Sequence, residues 1–130
     1  MFDRRWRAGA VLLALVSLAQ SGCRPTKAVA TDPDQARTTL VQALEAWKSG
    51  ESPDGLHGRA AIRVVDSAWQ KGMRLVDYEI VGNGQMDGFD WQLRAKLSLE
   101  DGEGNRLEEK AVYAISASSK KIIVRAEAGG

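Results

Sequence analysis

The chain has 130 residues, and its 18 Lys and Arg against 17 Asp and Glu give a formal net charge of +1. This length predicts one domain, and the near balance of charge excludes a nucleic-acid-binding protein that relies on neutralising phosphates. The single cysteine excludes an intramolecular disulfide, and one cysteine and one histidine are too few to form a zinc-binding cluster. We therefore expect no metal and no other cofactor.

The beginning of the chain has the composition of an export signal. Arg4, Arg5 and Arg7 precede Ala8–Ala19, a 12-residue run without charged side chains. As a helix this run would span about 18 Å, well short of the ~30 Å hydrocarbon core of a bilayer. A basic start, a short apolar middle and small residues follow one another in secretory signal peptides, so we expect residues 1–22 to be removed.

The apolar run leads into Gln20-Ser21-Gly22-Cys23, which resembles a bacterial lipoprotein signal. That family has an aliphatic residue, two small residues and then cysteine; Ser21, Gly22 and Cys23 match, and Gln20 departs from the pattern. The resemblance implies that Cys23 becomes the first mature residue and carries diacylglycerol and an acyl group. The protein would then be anchored to a bacterial membrane, facing the periplasm or the cell exterior. The alternative is ordinary cleavage after Ala19 or Ser21, which leaves a free thiol in a soluble exported protein.

The mature chain is nearly neutral. Removal of residues 1–22 takes away three arginines and Asp3, which leaves a net charge of −1 and no attraction to nucleic acid or to anionic lipids. Residues 23–31 contain Pro25 and are predicted to form the lipidated cysteine and a tether to the domain. At about 3.5 Å per residue this tether keeps the domain within about 30 Å of the membrane. We assign residues 32–127 to a single domain and 128–130 to a tail.

The clearest element is a helix over residues 33–49. Asp32 is a suitable N-cap, Pro33 suits the first helical position, and Gly50 is a suitable stop. A stripe at helical spacing predicts one buried face: Ala36, Leu40, Leu44 and Trp47.

The segment after the helix is less regular. Glu51–Gly58 contains a proline and two glycines and is predicted to be a loop, and Ile62–Val65 a short strand. Asp66 is expected to cap a single helical turn that Gly72 ends.

After Gly72 the hydrophobic period switches to two, which predicts strands. They cover Met73–Val81, Phe89–Leu99, Arg106–Ala117 and Lys121–Ala126, with turns at Gly82-Asn83-Gly84, Asp101–Asn105 and Ser118–Lys120. Strands joined by short turns form an antiparallel meander. We therefore predict an α+β fold: one N-terminal amphipathic helix packed on a four- to five-stranded antiparallel meander sheet.

The helix ending A-L-E-A-W-K-S-G-E at 43–51, followed by a loop, a short edge strand and a long meander, is similar to the NTF2-like and SnoaL-like superfamily. The resemblance covers about residues 32–127 and implies a cystatin-like cone of helix and sheet. Members of that superfamily include small-molecule isomerases and cyclases and also non-catalytic binding and assembly domains. The resemblance therefore does not choose between these functions.

Three residues are candidates for acid-base chemistry. His57 is the one imidazole and can act as a general base, although a histidine between flexible glycines is more often an exposed loop residue. Asp66 is either an acid or simply a helix cap. Asp77 is predicted to share a strand face with Glu79, Leu75 and Val81, so that either the face is solvated or one acid is buried with a raised pKa.

The aromatic side chains are candidates for contact with a ligand or partner. Trp47, Trp91 and Tyr78 either line a pocket between helix and sheet or pack as core. Phe89 and Trp91 fall on the predicted buried stripe of their strand. Trp69 lies in a short turn, where it either closes the core or anchors a partner.

Together these features predict an exported, membrane-anchored lipoprotein whose small domain binds an envelope protein or a small apolar ligand without catalysing a reaction. One alternative is a SnoaL-like isomerase or lyase that uses acid-base residues in a pocket between helix and sheet. The other is a soluble secreted domain that dimerises through its sheet.

Overall fold

The computed structural model describes residues 29–126, so the predicted signal peptide, Cys23 and the tail lie outside the described part of the chain. Within it, three helices and five strands follow one another: α1 (Pro33–Lys48), α2 (Pro53–Ala60), β1 (Ile62–Val65), α3 (Ser67–Gln70), β2 (Arg74–Asp87), β3 (Asp90–Glu100), β4 (Arg106–Ser116) and β5 (Lys121–Arg125).

The five strands form one sheet in the order β1-β5-β4-β3-β2, and α1 packs on one of its faces. The predicted α+β fold is confirmed. Strands β2 to β5 form the expected antiparallel meander, but β1 pairs with β5 in parallel, with Ile62 opposite Lys121 and Val65 opposite Val124. A parallel pair needs a long crossover, and here α3 and the rest of the meander supply it.

Helix α1 follows its sequence signals closely. The Asp32 carboxylate accepts a hydrogen bond from the Gln35 N–H at 3.0 Å, and Pro33 occupies the first turn. Its predicted stripe is buried against the sheet: Ala36, Leu40, Leu44 and Trp47 are each at most 2% exposed. The packing of this stripe on the inner faces of β3 and β4 forms the core.

The loop predicted over Glu51–Gly58 is wrong, because α2 forms there. The Ser52 hydroxyl accepts a hydrogen bond from the Gly55 N–H at 3.0 Å, and Pro53 takes the first helical position. Leu56 is completely buried. Two glycines lower the intrinsic helix propensity, but the cap and the burial of Leu56 outweigh that loss.

A β-bulge at Val76 changes which side chains of β2 face the core. Leu75 is opposite Leu99, whereas Asp77 is opposite Ser98, so Val76 is an extra residue in the ladder. Beyond it, Tyr78 pairs with Leu97 on the inner face and Asp77 turns outward. The predicted shared face of Asp77 and Leu75 is therefore wrong, because one inserted residue reverses the alternation.

Strand β2 also runs past the glycines expected to end it. The ladder is irregular between Val81 and Gln85, then resumes to Asp87, which pairs with Asp90 across a two-residue turn, Gly88-Phe89. Gly88 has φ 66°, the positive value that the first position of a type II′ turn requires. The predicted turn at Gly82-Asn83-Gly84 is thus a bulge, and β2 and β3 extend together as a longer hairpin arm.

The glycine bulge makes a steric prediction. Gly82 and Gly84 both have positive φ, 75° and 83°, but a Cβ on Gly84 would lie 2.3 Å from the Gln92 carbonyl oxygen, whereas a Cβ on Gly82 meets nothing within 4 Å. Gly82→Ala should cost about 1 kcal/mol through backbone strain alone. Gly84→Ala should cost about 1–3 kcal/mol more through overpacking. Urea unfolding of both variants measures the difference, and equal losses would contradict the close approach.

Candidate functional site

Two tryptophans fill the space where α1 ends over the sheet. Trp47 from α1 and Trp69 from α3 stack with ring centroids 5.2 Å apart and planes within 9°, and they are 2% and 5% exposed. Their indole N–H groups donate to the carbonyls of Met73 at 2.8 Å and Glu51 at 2.9 Å. Each ring is thus held at its face and at its polar edge. The pair occupies the place where a pocket between helix and sheet would open.

Tyr78 and Asp77 lie at the exposed edge of this core and bond to side chains in the last turns of α1. The Tyr78 hydroxyl donates to the Glu45 carboxylate at 2.6 Å, and partial burial together with this acceptor raises the pKa of Tyr78 to about 12. Asp77 is largely exposed and forms an ion pair with Lys48 at 3.6 Å. A pair this exposed contributes little stability, and Asp77 has no enclosed space in which to act as an acid.

Asp66 belongs to a buried polar cluster where β1 and β5 end, level with Leu93 of β3. It is 1% exposed and caps α3 by accepting from the Ala68 N–H at 3.0 Å. It also accepts from the Tyr113 hydroxyl at 2.7 Å and from Arg125 at 3.2 Å, and Arg125 bonds Glu109 as well. We call Asp66, Tyr113, Arg125 and Glu109 the polar cluster.

The electrostatics of the polar cluster raise the pKa values of Tyr113 and Arg125. Burial and the neighbouring negative charge of Asp66 raise the pKa of Tyr113, so its phenol stays protonated as a donor. Burial opposes the charge on Arg125, but its bonds to Glu109 and Asp66 outweigh this effect and raise its pKa. Both oxygens of Asp66 are bonded within the fold, so this carboxylate is placed to hold α3, β4 and β5 together.

His57 lies on the exposed face of α2, not in the predicted loop. It lines an open groove of about 410 Å³ with Asp54 from the same helix, Arg63 and Val65 from β1, and Gln70 from α3. Asp66 and Asp77 do not line this groove. The structure therefore separates the three acid-base candidates, with His57 in a groove, Asp66 in the core and Asp77 on the edge strand.

Trp91 sits where the hairpin arm leaves the core. It is half-buried opposite Met86, and its indole N–H donates to the Asn83 carbonyl in the glycine bulge at 2.9 Å. Phe89, expected on the buried stripe with Trp91, is 59% exposed because the chain turns at Gly88-Phe89. That expectation is wrong because the alternating pattern does not indicate where the strand ends.

The N-terminal end of the described chain runs beside the turn of the arm. The Thr31 N–H donates to the Phe89 carbonyl at 2.9 Å, and the Thr31 hydroxyl accepts from the Ala117 N–H at 3.2 Å. Thr31 is 3% exposed, whereas Val29, two residues earlier, is 64% exposed. The N-terminal segment therefore enters the domain at this end of the sheet.

The sequence patterns do not single out Arg125 and Glu109, and they misplace Phe89. Arg125 and Glu109 each lie at an inward-facing position of their strands. The sequence signal for this is that Arg125 follows the apolar Ile123 by two residues, so both side chains point to the same face of the strand. Phe89 directly after Gly88 was the signal for an exposed turn residue.

Comparisons of the chain with protein-family models, with curated proteins and with solved structures found no match. Across residues 29–126, none of the helices is long and apolar enough to cross a membrane. The same residues contain no group of three or more His, Cys, Asp or Glu side chains arranged to hold a metal ion.

The polar cluster predicts a stability difference between two tyrosines. Tyr113→Phe removes a donor to a buried carboxylate and should cost about 1.5–3 kcal/mol. Tyr78→Phe removes a similar bond nearer solvent and should cost about 0.5–1.5 kcal/mol. Urea unfolding followed by tryptophan fluorescence measures both. Equal losses would show that burial of Asp66 does not set the strength of its bond.

Tyr78 also predicts a pH dependence. Its pKa is raised to about 12 in the folded chain, whereas an unfolded tyrosine ionises near pH ~10. The stabilisation from its phenol is therefore complete below pH ~10 and is lost as the pH rises toward 12. The difference in unfolding free energy between the wild type and Tyr78→Phe should shrink over that interval. Both proteins retain Tyr113, so its titration cancels, and a constant difference would contradict the raised pKa.

Proposed function

We propose that this chain is an exported lipoprotein in which lipidated Cys23 anchors a small, non-enzymatic binding domain close to a membrane. The observation that carries the proposal is the order of residues 1–23: three arginines, a short uncharged run, and Ser21-Gly22-Cys23. Two or three acyl chains on one cysteine supply enough buried hydrocarbon for stable anchoring, whereas a single chain binds only reversibly.

The packing of the domain supports a binding role over catalysis. An isomerase or lyase of the alternative kind needs an acid or base facing an enclosed space between helix and sheet. In the described part of the chain Trp47, Trp69 and the buried leucines of α1 and β3 occupy that space. His57, Asp66 and Asp77 face a groove, the core and solvent respectively. An envelope protein or a small apolar ligand would therefore bind on the outer surface of the domain.

The anchor is tested with Cys23→Ser expressed from the full chain with its own N-terminus. The wild type should sediment with membranes, and its intact mass should correspond to a chain beginning at Cys23 plus diacylglycerol and acyl groups. The variant should move to the soluble fraction, because the anchoring hydrocarbon is lost. Ser21→Ala, which keeps a small residue before the cysteine, is the matched control and should stay in the membrane fraction.

Two outcomes would contradict the proposal. If Cys23→Ser still sediments with membranes in high salt, lipid on this cysteine is not the anchor. If the wild type has an unmodified mass and begins near Gln20 or Gly22, the chain is a soluble exported protein with a free thiol.

A further inference from the structure

The turn of the β2–β3 hairpin arm exposes a group of large apolar side chains. Phe89 at the turn is 59% exposed, Met86 beside it 45%, and Val29 in the adjoining N-terminal segment 64%. We call these three side chains the arm tip. Among residues 29–126 six large apolar side chains are exposed, and the arm tip contains three of them at one end of the sheet. Such a concentration of exposed apolar surface marks a binding surface.

The arm tip lies where the tether enters the domain. The Thr31 N–H bonds the Phe89 carbonyl at 2.9 Å, which fixes the N-terminal segment against the turn. Val29 follows Cys23 by six positions, and these six steps span at most about 20 Å. A domain anchored through Cys23 therefore has the arm tip as the part of its surface held nearest to the bilayer.

We propose that the arm tip inserts into the interfacial region of the membrane and orients the domain with the turn between β3 and β4 directed away from the bilayer. This inference rests on the proposed lipid anchor. The occupant of the surface is the lipid bilayer, because the tether holds the arm tip against it at high local concentration. Amphipathic helices at membrane surfaces bury their apolar faces about 5–10 Å into the boundary between headgroups and acyl chains, and we expect a similar depth for the arm tip.

The charge of the domain indicates which kind of lipid the arm tip requires for insertion. Asp87 and Asp90 flank the turn, and the mature chain has a net charge of −1, so attraction to anionic lipids does not drive the contact. Burial of the apolar side chains of Phe89, Met86 and Val29 drives the contact instead. Vesicles of zwitterionic phosphatidylcholine are therefore sufficient as the probe.

The experiment measures depth at two ends of the same sheet. The full chain is expressed with its own signal, and its intact mass is recorded first. In an acylated protein the thiol of Cys23 is blocked, so Met86→Cys or Glu103→Cys supplies the free thiol for an environment-sensitive fluorophore. Glu103 lies in the exposed turn between β3 and β4, at the opposite end of the strands from the arm tip. The labelled proteins are placed in phosphatidylcholine vesicles that contain lipids with a quencher on the acyl chain.

We expect the label at residue 86 to be quenched at least about threefold more than the label at residue 103, because only the former reaches the acyl boundary. Phe89→Ser in the residue-86 protein should reduce that quenching. Val81→Ser, which alters an exposed valine of β2 on the outer face of the sheet, should leave it unchanged. The near-ultraviolet circular dichroism of the Trp47–Trp69 pair checks that each variant is folded.

Three results would overturn the inference. Equal quenching at residues 86 and 103 in an acylated protein means that the arm tip does not enter the bilayer, while the lipid anchor stands. A residue-86 signal that changes with protein concentration in detergent, and not with quencher lipid, means that the arm tip pairs with a second copy. An unacylated Cys23 overturns the anchor and this inference together, and the recorded mass identifies that case.

Discussion

The stacked indoles of Trp47 and Trp69 join α1 to α3, and the position of α3 on the domain depends on that contact. Trp47 is the last residue of the buried stripe of α1, and Trp69 lies in a helix of only four residues. A helix so short has no stability of its own. Its position comes from the ring contact, from the bond between the Trp69 indole and the Glu51 carbonyl, and from the cap that Asp66 provides. Through Asp66 the same short helix is tied to β4 and β5.

Two regions of the domain differ in chemistry. Where β1 and β5 end, a buried carboxylate, a phenol and a guanidinium satisfy one another, with Arg125 only 13% exposed in its side chain. A buried charge is tolerated in a fold only when it is paired and hydrogen-bonded, so the positions of these side chains are closely constrained. At the turn between β2 and β3, Phe89, Met86 and Val29 are exposed and the N-terminal segment enters. This difference is consistent with the proposal of a domain that is held to a membrane at the turn of the arm and presents the groove beside His57 and the outer sheet face to solvent.

The outer face of the sheet is the surface on which the alternative of sheet-mediated dimerisation would depend. Val65 and Val124 are neighbours there and are 45% and 39% exposed. Toward β2 the same face carries Lys96 opposite Glu79 on one side and Lys110 on the other. The exposed apolar side chains of this face are thus divided between Val65 and Val124 on β1 and β5 and Val81 on β2. Charged side chains of β2, β3 and β4 lie between them.

Much of the fold can be predicted from residues that are close together in the sequence. Asp32 and Pro33 mark the start of α1, the spacing of Ala36 to Trp47 marks its buried face, and strict alternation marks β3. These features are determined by short-range sterics and hydrogen bonding, so the sequence alone defines them. The candidate chemistry was less readable. The partners of Asp66 lie 47 and 59 residues away, and nothing local to Asp66 indicates Tyr113 or Arg125.

The sequence by itself determined one amphipathic helix followed by a meander, because those depend on composition and on residue spacing, and its first 23 residues predict an export signal. Tertiary structure decided the rest. The bulge at Val76 directs Tyr78 inward and Asp77 outward. Burial of Leu56 stabilises a helix in a segment that contains two glycines. Strand β1 pairs in parallel with β5, which lies far from it in the sequence. Each of these depends on contacts between residues far apart in the chain, where the free energy of burying apolar surface outweighs a local preference of about 1 kcal/mol.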